Sequence, residues 1–125
     1  MSQQYNPVGW FEIPVIDLDR AKQFYEAVMD VELTPMTLGA AEMAWFPVVE
    51  DAIGAAGTLI KAEGLTPSHA GTLIYFTAPD IEGTLERVGA NGGETLLPKT
   101  SIGEYGFIAH FEDTEGNRLA LHCRA

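Results

Sequence analysis

The feature that most constrains this chain is a pattern that occurs twice, 63 residues apart. Each copy has a run of residues typical of a β-strand, then an aspartate suited to cap a helix, then apolar residues at helical spacing. The aspartates are Asp17 and Asp80, and the helices are predicted over 18–29 and 81–91. An internal repeat of this kind predicts two similar structural units rather than one continuous fold.

Short segments rich in β-forming residues follow each predicted helix and complete the unit. The last two strands are joined by residues 113–117, whose glycine and asparagine favour a tight turn. Each unit therefore has the order βαβββ, in which one helix covers one face of a four-stranded sheet. We place the first module at 8–61, a linker at 62–70 and the second module at 71–123, in a single domain over 1–125. The strands that follow the helices are expected near 31–36, 41–48, 56–61, 94–98, 105–111 and 117–123.

The acidic composition limits the partners that the chain can have. Its net charge is −11, from 18 acidic and 7 basic residues. Such a chain repels phosphate backbones, so we expect no nucleic-acid partner, whereas the same field favours a cationic small molecule. Cys123 is the only cysteine, which excludes an intramolecular disulfide and suits a reducing compartment. We find no leader pattern and no apolar run of about 20 residues, and expect a cytoplasmic protein without a membrane partner.

Two segments carry a resemblance to a known family: FEIPVIDLDRAKQFYEAV at 11–28 and FEDTEGNRLAL at 111–121. With the repeated order of elements, they resemble the vicinal oxygen chelate superfamily, which includes glyoxalase I, bleomycin-resistance proteins, methylmalonyl-CoA epimerase and extradiol dioxygenases. The resemblance covers about residues 8–123. It implies an α+β fold of two βαβββ modules, with curled mixed sheets and a helix on each outer face. It also implies a homodimer with its sites at the subunit boundary.

Metal-using members of that superfamily take four His, Gln or Glu ligands from the first and fourth strands of the modules. The resemblance places these ligands at Trp10, Gly57, Leu73 and Ala120 of this chain. None of the four side chains offers a lone pair suited to a divalent ion. We therefore expect no metal and no other cofactor.

Side-chain alternation predicts a different set of polar residues on the sheet faces away from the helices. Glu12 is a candidate general base, His122 a candidate acid or base, and Tyr75 a candidate hydrogen-bond donor. With Leu59, they would form a ring one step beyond the lost ligands. Each also has a plainer interpretation: a solvated carboxylate, a structural histidine and an ordinary strand residue.

Aromatic residues at strand spacing form a second candidate group, a box for a flat or cationic ligand, although such residues are also typical of a core. Its members are Trp10, Trp45, Phe107 and Phe111. The two other histidines are weaker candidates. His110 is expected opposite the apolar face of its strand, and His69 is expected to be exposed in the linker. Residues 99–106 contain two glycines and could form a flap over the cavity.

Three functional hypotheses stay open at this point. The first is a metal-free protein that binds a small organic molecule in the groove of the sheets. The second is a lyase or isomerase that transfers a proton next to a carbonyl, with Glu12 as the base. The third is a metal-dependent enzyme of the glyoxalase or dioxygenase type, whose ligands are misaligned in the comparison above.

Overall fold

The protein is described by a computed structural model over residues 6–125. The first module contains β1 (Phe11–Pro14), α1 (Leu18–Met29), β2 (Thr34–Leu38), β3 (Ala41–Trp45) and β4 (Gly57–Lys61). The second contains β5 (Tyr75–Thr77), α2 (Ile81–Ala90), β6 (Glu94–Ser101), β7 (Phe107–Glu112) and β8 (Arg118–Cys123). A 3₁₀ turn at Gly103–Tyr105 precedes β7. Within this range, no helix is both long and apolar enough to span a bilayer.

The two modules share one topology. Their sheets have the orders β1-β4-β3-β2 and β5-β8-β7-β6. The first strand of each module pairs in parallel with the fourth, and the other pairs are antiparallel. Both sheets are therefore mixed, and the predicted α+β fold of two βαβββ modules is confirmed.

Both helices begin where the repeated aspartates predict. The Asp17 carboxylate accepts a hydrogen bond from the Arg20 backbone N–H at 3.1 Å, and Asp80 accepts one from Gly83 at the same distance. Each bond satisfies an N–H of the first turn that has no partner inside the helix. The helices then bury one face each, and α1 contributes Phe24, Tyr25 and Val28 among others.

These buried faces meet in one core that both modules share. Phe24 of α1 lies 6.2 Å, between ring centroids, from Phe111 of β7, and Phe11 lies 5.9 Å from Phe76 across the two first strands. The helices therefore cover one face of each sheet. The other face, which we call the open face, carries side chains such as Tyr75, of which 48% is exposed.

The predicted turn at 113–117 joins β7 to β8, and its aspartate is buried. Oδ1 of Asp113 accepts hydrogen bonds from the backbone N–H groups of Glu115 and Asn117 at 2.8 and 2.9 Å. Oδ2 accepts one from the Tyr25 hydroxyl of the first module at 2.6 Å. Asn117 in turn donates to the carbonyl of Pro14 at 2.8 Å. The turn thus connects the second module to β1 and α1 of the first.

Glu115, in the same turn, is bound by the start of α1. Its Oε2 accepts from Arg20 Nε at 2.8 Å, and its Oε1 accepts from the backbone N–H groups of Ile16 and Asp17 at 2.9 and 2.8 Å. Burial alone would raise the pKa of Glu115, but these bonds and one from Thr114 lower it to about 2. The carboxylate is therefore charged at neutral pH and holds the two modules together.

Candidate functional site

The open face of the second sheet holds a cavity of about 460 Å³. Tyr75 and His122, two predicted site residues, both line it, because β5 and β8 are neighbouring strands. Apolar side chains of Ile102 and Ile108 form other parts of its wall. Ile108 could have been found from the sequence, since side-chain alternation places it opposite the core residues Phe107 and Ala109 of its strand. Ile102 lies between β6 and the 3₁₀ turn, where no strand alternation predicts which way its side chain faces.

His122 connects this cavity to the segment at 102–106. Its Nε2 lies 2.8 Å from the carbonyl oxygen of Tyr105. A carbonyl only accepts hydrogen bonds, so this bond requires the proton on Nε2. The predicted flap is shorter than expected, because residues 99–101 belong to β6. Its remainder includes Ile102 at the cavity wall.

Glu12 lines a different cavity, of about 200 Å³, between the two modules. Its carboxylate is exposed to solvent, and Ser68, Asn117 and Arg118 lie along the same cavity. Within one chain, the structure therefore brings Tyr75 and His122 together but does not bring Glu12 to them.

The four aromatic candidates are divided between the two sides of the sheets. Trp10 and Trp45 meet edge to face, with ring centroids 5.1 Å apart. Phe111, in contrast, is fully buried in the core, and Phe107 packs against that core with Lys99 Nζ 4.6 Å from its ring centroid. The predicted aromatic box is not assembled, because the phenylalanines lie on the helix-covered face of β7. Phe111 is not available to a ligand.

The predicted ring also contains an error of one residue in the first module. The Val15 N–H donates to the Ile60 carbonyl, and in the second module the Ala78 N–H donates to the His122 carbonyl. The repeat is thus 63 residues for the first strands but 62 for the fourth. A shift of one residue moves a side chain to the other face of a sheet. Leu59, predicted on the open face, accordingly lies in the core.

A family model described as Glyoxalase/Bleomycin resistance protein/Dioxygenase superfamily matches residues 8–121. The chain belongs to this superfamily. A relative from Didymella fabae, called a glyoxylase-like domain-containing protein, is 30% identical over 124 residues, which cover 96% of this chain and 95% of the relative. The predicted resemblance is therefore confirmed.

Several solved structures have the same fold as this chain. A glyoxylase/bleomycin resistance protein/dioxygenase domain from Frankia sp. EAN1pec matches 98% of this chain and 100% of its own, with a TM-score of 0.75 and 17% identity. TnmS3, an antibiotic binding protein from Streptomyces sp. CB03234, matches with a TM-score of 0.67 and 21% identity. That match covers 99% of this chain and 100% of TnmS3. A glyoxalase I mutant from Zea mays matches with a TM-score of 0.72 and 22% identity. That match covers 92% of this chain but 45% of the maize protein, so the chain spans less than half of its length.

The positions that the resemblance assigns to metal ligands carry side chains that are poor ligands for a divalent ion. Gly57 lies so close to the carbonyl of Phe11 that no Cβ fits there. The 62-residue repeat makes Thr58 the true counterpart of Ala120, but its hydroxyl already bonds the carbonyls of Ala44 and Leu59 at 3.0 and 2.7 Å. Over residues 6–125, no three His, Cys, Asp or Glu side chains lie close enough to share an ion. The absence of a metal stays a prediction.

The two weaker histidine candidates have clear contacts. His69, in the linker, lies 2.6 Å from Glu112 through Nε2 and is partly exposed. His110 lies opposite Ala109 and Phe111, both of which are buried in the core. It is therefore on the open face, where its ring meets that of Tyr75. Sequence reasoning gave His110 little weight, since its partner Arg118 becomes a neighbour only when β7 pairs with β8.

Proposed function

We propose that this chain is a metal-free member of the superfamily that binds a small organic molecule in the cavity beside Tyr75 and His122. The observation that carries the proposal is the lining of this cavity. Its walls are largely apolar, with the phenol of Tyr75, the imidazole of His122 and the hydroxyl of Thr77 as polar groups. Small-molecule sites typically have about 300–1,000 Å³ and this mixture of apolar walls and a few polar groups. The match to TnmS3, an antibiotic binding protein, supports the same class of function.

A cavity-filling substitution tests the proposal. Thr77→Trp places a large side chain at the cavity wall, and Thr77 is exposed, so the fold should tolerate it. We expect ligands found by a thermal-shift screen of the wild type to lose their stabilising effect on this variant. Thr37→Trp is the matched control, since Thr37 is an exposed threonine of β2. Equal ligand-induced shifts in both variants would contradict the site.

The metal-free state needs its own measurement. Protein purified without a histidine tag should contain much less than one zinc, nickel or iron per chain by elemental analysis. One firmly held metal ion per chain would overturn this part of the proposal. It would favour the metal-dependent enzyme, with Glu12 of one chain and His122 of a second copy at the same ion.

We further propose a homodimer in a reducing, cytoplasmic environment. The open faces and the connection between β3 and β4 expose large apolar side chains such as Trp10, Val49 and Ile53, which a second copy of the chain would cover. Cys123 is a free thiol. Sedimentation at micromolar concentration should show a species of about twice 13.5 kDa.

The proton-transfer alternative depends on such a dimer. Glu12 lines a different cavity from Tyr75 and His122 within one chain, so only a partner chain could bring the three groups together. Glu12→Gln should then abolish turnover or ligand binding while it preserves the fold and the dimer. An unchanged affinity for a ligand identified by screening would remove Glu12 from the site.

A further inference from the structure

One buried polar atom on the open face has no hydrogen-bond partner. This atom is Nε2 of His110. Among the described residues, it is the one buried side-chain nitrogen or oxygen that has no hydrogen-bond partner. An unpaired buried polar group destabilises a fold, and in native proteins it calls for an explanation such as a water molecule or a functional role.

The hydrogen bond at the other ring nitrogen, Nδ1, determines whether Nε2 is a donor or an acceptor. Arg118 Nε lies 2.9 Å from Nδ1 of His110. A guanidinium only donates, so Nδ1 must carry the lone pair and the proton of the neutral ring must be on Nε2. Burial, and then the positive charge of Arg118, lower the pKa of His110, which keeps the ring neutral at pH 7. The unpartnered atom is therefore an N–H donor.

The position of this donor connects it to the proposed ligand cavity. Ala120 pairs with His110 on one side and with Tyr75 on the other. Because alanine is small, the two rings meet across it, with centroids 6.0 Å apart and planes at 86°. Tyr75 also lines the cavity, and it lies on an edge strand with 48% of its surface exposed. His110 itself does not line the cavity, so a ligand there reaches its Nε2 only if the Tyr75 ring moves aside on binding.

We propose that the Nε2–H of His110 donates a hydrogen bond to an acceptor oxygen of the bound ligand, and that the ligand is an aryl carbonyl compound. This inference rests on the proposed function and specifies the ligand of the same site. A fixed neutral donor beside a guanidinium favours a carbonyl oxygen over a cationic group. The edge of Tyr75 and the apolar side chains of Ile102 and Ile108 suit a flat aromatic body. The local groups thus favour a different ligand from the one that the net negative charge suggests.

Two probes of nearly equal shape test the donor. 2-Acetylnaphthalene carries a carbonyl oxygen, and 2-ethylnaphthalene lacks it. We expect wild-type protein to bind the ketone about tenfold more tightly, the size of effect that one hydrogen bond can produce. His110→Phe should bind both compounds equally, and His110→Gln, which retains a side-chain N–H donor, should restore part of the preference. His69→Phe is the control, since His69 lies in the linker and contacts Glu112.

Nitrogen-detected NMR of the histidine rings gives the second readout. It should show the Nε2–H tautomer for His110 in the free protein, and this Nε2 proton should shift when 2-acetylnaphthalene binds. Arg118→Met should mix the two tautomers of His110 and reduce the preference for the ketone, which identifies Arg118 as a positioning residue. An Nδ1–H tautomer in the wild type would overturn the inference.

The binding results separate this inference from the proposed function. If both probes bind wild-type protein equally well and His110→Phe changes nothing, the cavity binds ligands but His110 does not select them, and the inference fails alone. If neither probe binds but other screened compounds bind the wild type and not Thr77→Trp, the inference fails and the proposed small-molecule site stands. A preference for the ketone that survives in His110→Phe would assign the donor to another residue.

Discussion

The connection between the third and fourth strands differs sharply between the two modules. In the second module, residues 113–117 form a short turn whose Asp113, Glu115 and Asn117 are buried. In the first module, residues 46–56 form a longer connection with Val48, Val49 and Ile53 exposed, the last completely. The polar connection is inside and the apolar one is outside, the reverse of the usual distribution.

This contrast indicates that the two equivalent connections have different tasks. The buried polar turn has its hydrogen-bond partners within the chain, on α1 and β1. Among residues 6–125, no side chain of the apolar connection has a hydrogen bond of this kind. Together with Trp10, the connection borders a cavity of about 340 Å³. We infer that the turn stabilises the pairing of modules inside one chain, whereas the longer connection is suited to contacts outside it.

The largest effect is expected from the aspartate of the buried turn. Asp113→Ala removes the acceptor for the Tyr25 hydroxyl and for two backbone N–H groups, which then lie buried without partners. We expect the free energy of unfolding to fall by about 3–4 kcal/mol in urea titrations. Glu50→Ala, in the exposed connection, is the control and should change it by less than about 0.5 kcal/mol. Similar losses for both variants would remove the contrast between the connections.

An intermediate effect is expected from Glu115, and it should depend on pH. The pKa of Glu115 is about 2 in the folded chain and about 4.3 in an unfolded one. The carboxylate therefore stabilises the fold fully above pH 4.5 or so, and this contribution is lost as the pH falls toward 2. We expect it to be at most about 3 kcal/mol. Glu115→Gln should lower stability at pH 7 and flatten its dependence on pH between about 2 and 4.5. An unchanged acid profile would exclude this role.

The smallest effect on folding is expected from the exposed connection. Ile53→Ser removes an apolar side chain that contacts solvent, so the unfolding free energy of the single chain should change by less than about 0.5 kcal/mol. If a second copy covers this side chain, the same variant should raise the dimer dissociation constant about tenfold in sedimentation experiments. Ile53→Val is the conservative control. An unaffected dimer would place the subunit contact elsewhere.

The sequence by itself determined the local elements of this protein. The carboxylates of Asp17 and Asp80 cap helices that begin one residue later, as predicted, because a cap needs only neighbours within one turn. The apolar alternation likewise gave the sheet faces of Phe111 and His110 correctly. Apolar periodicity and helix capping depend on residues only a few positions apart, so both can be recognised in the sequence alone.

Only the tertiary structure decided how the two copies of the repeat fit together. It shortened the repeat to 62 residues at the fourth strand, which moved Leu59 into the core and made Thr58 the counterpart of Ala120. It also separated Glu12 from Tyr75 and His122, which line different cavities.

Two hydrogen bonds also depend on the tertiary structure. One joins Arg20 to Glu115, and the other joins Arg118 to the ring of His110. The first joins residues 95 positions apart, and the second crosses a hairpin. The reason is physical: a hydrogen bond between distant side chains depends on the register of strands and the packing of modules, and a shift of one residue reverses which face a side chain occupies. No pattern within a few residues of Glu115 or His110 contains that information.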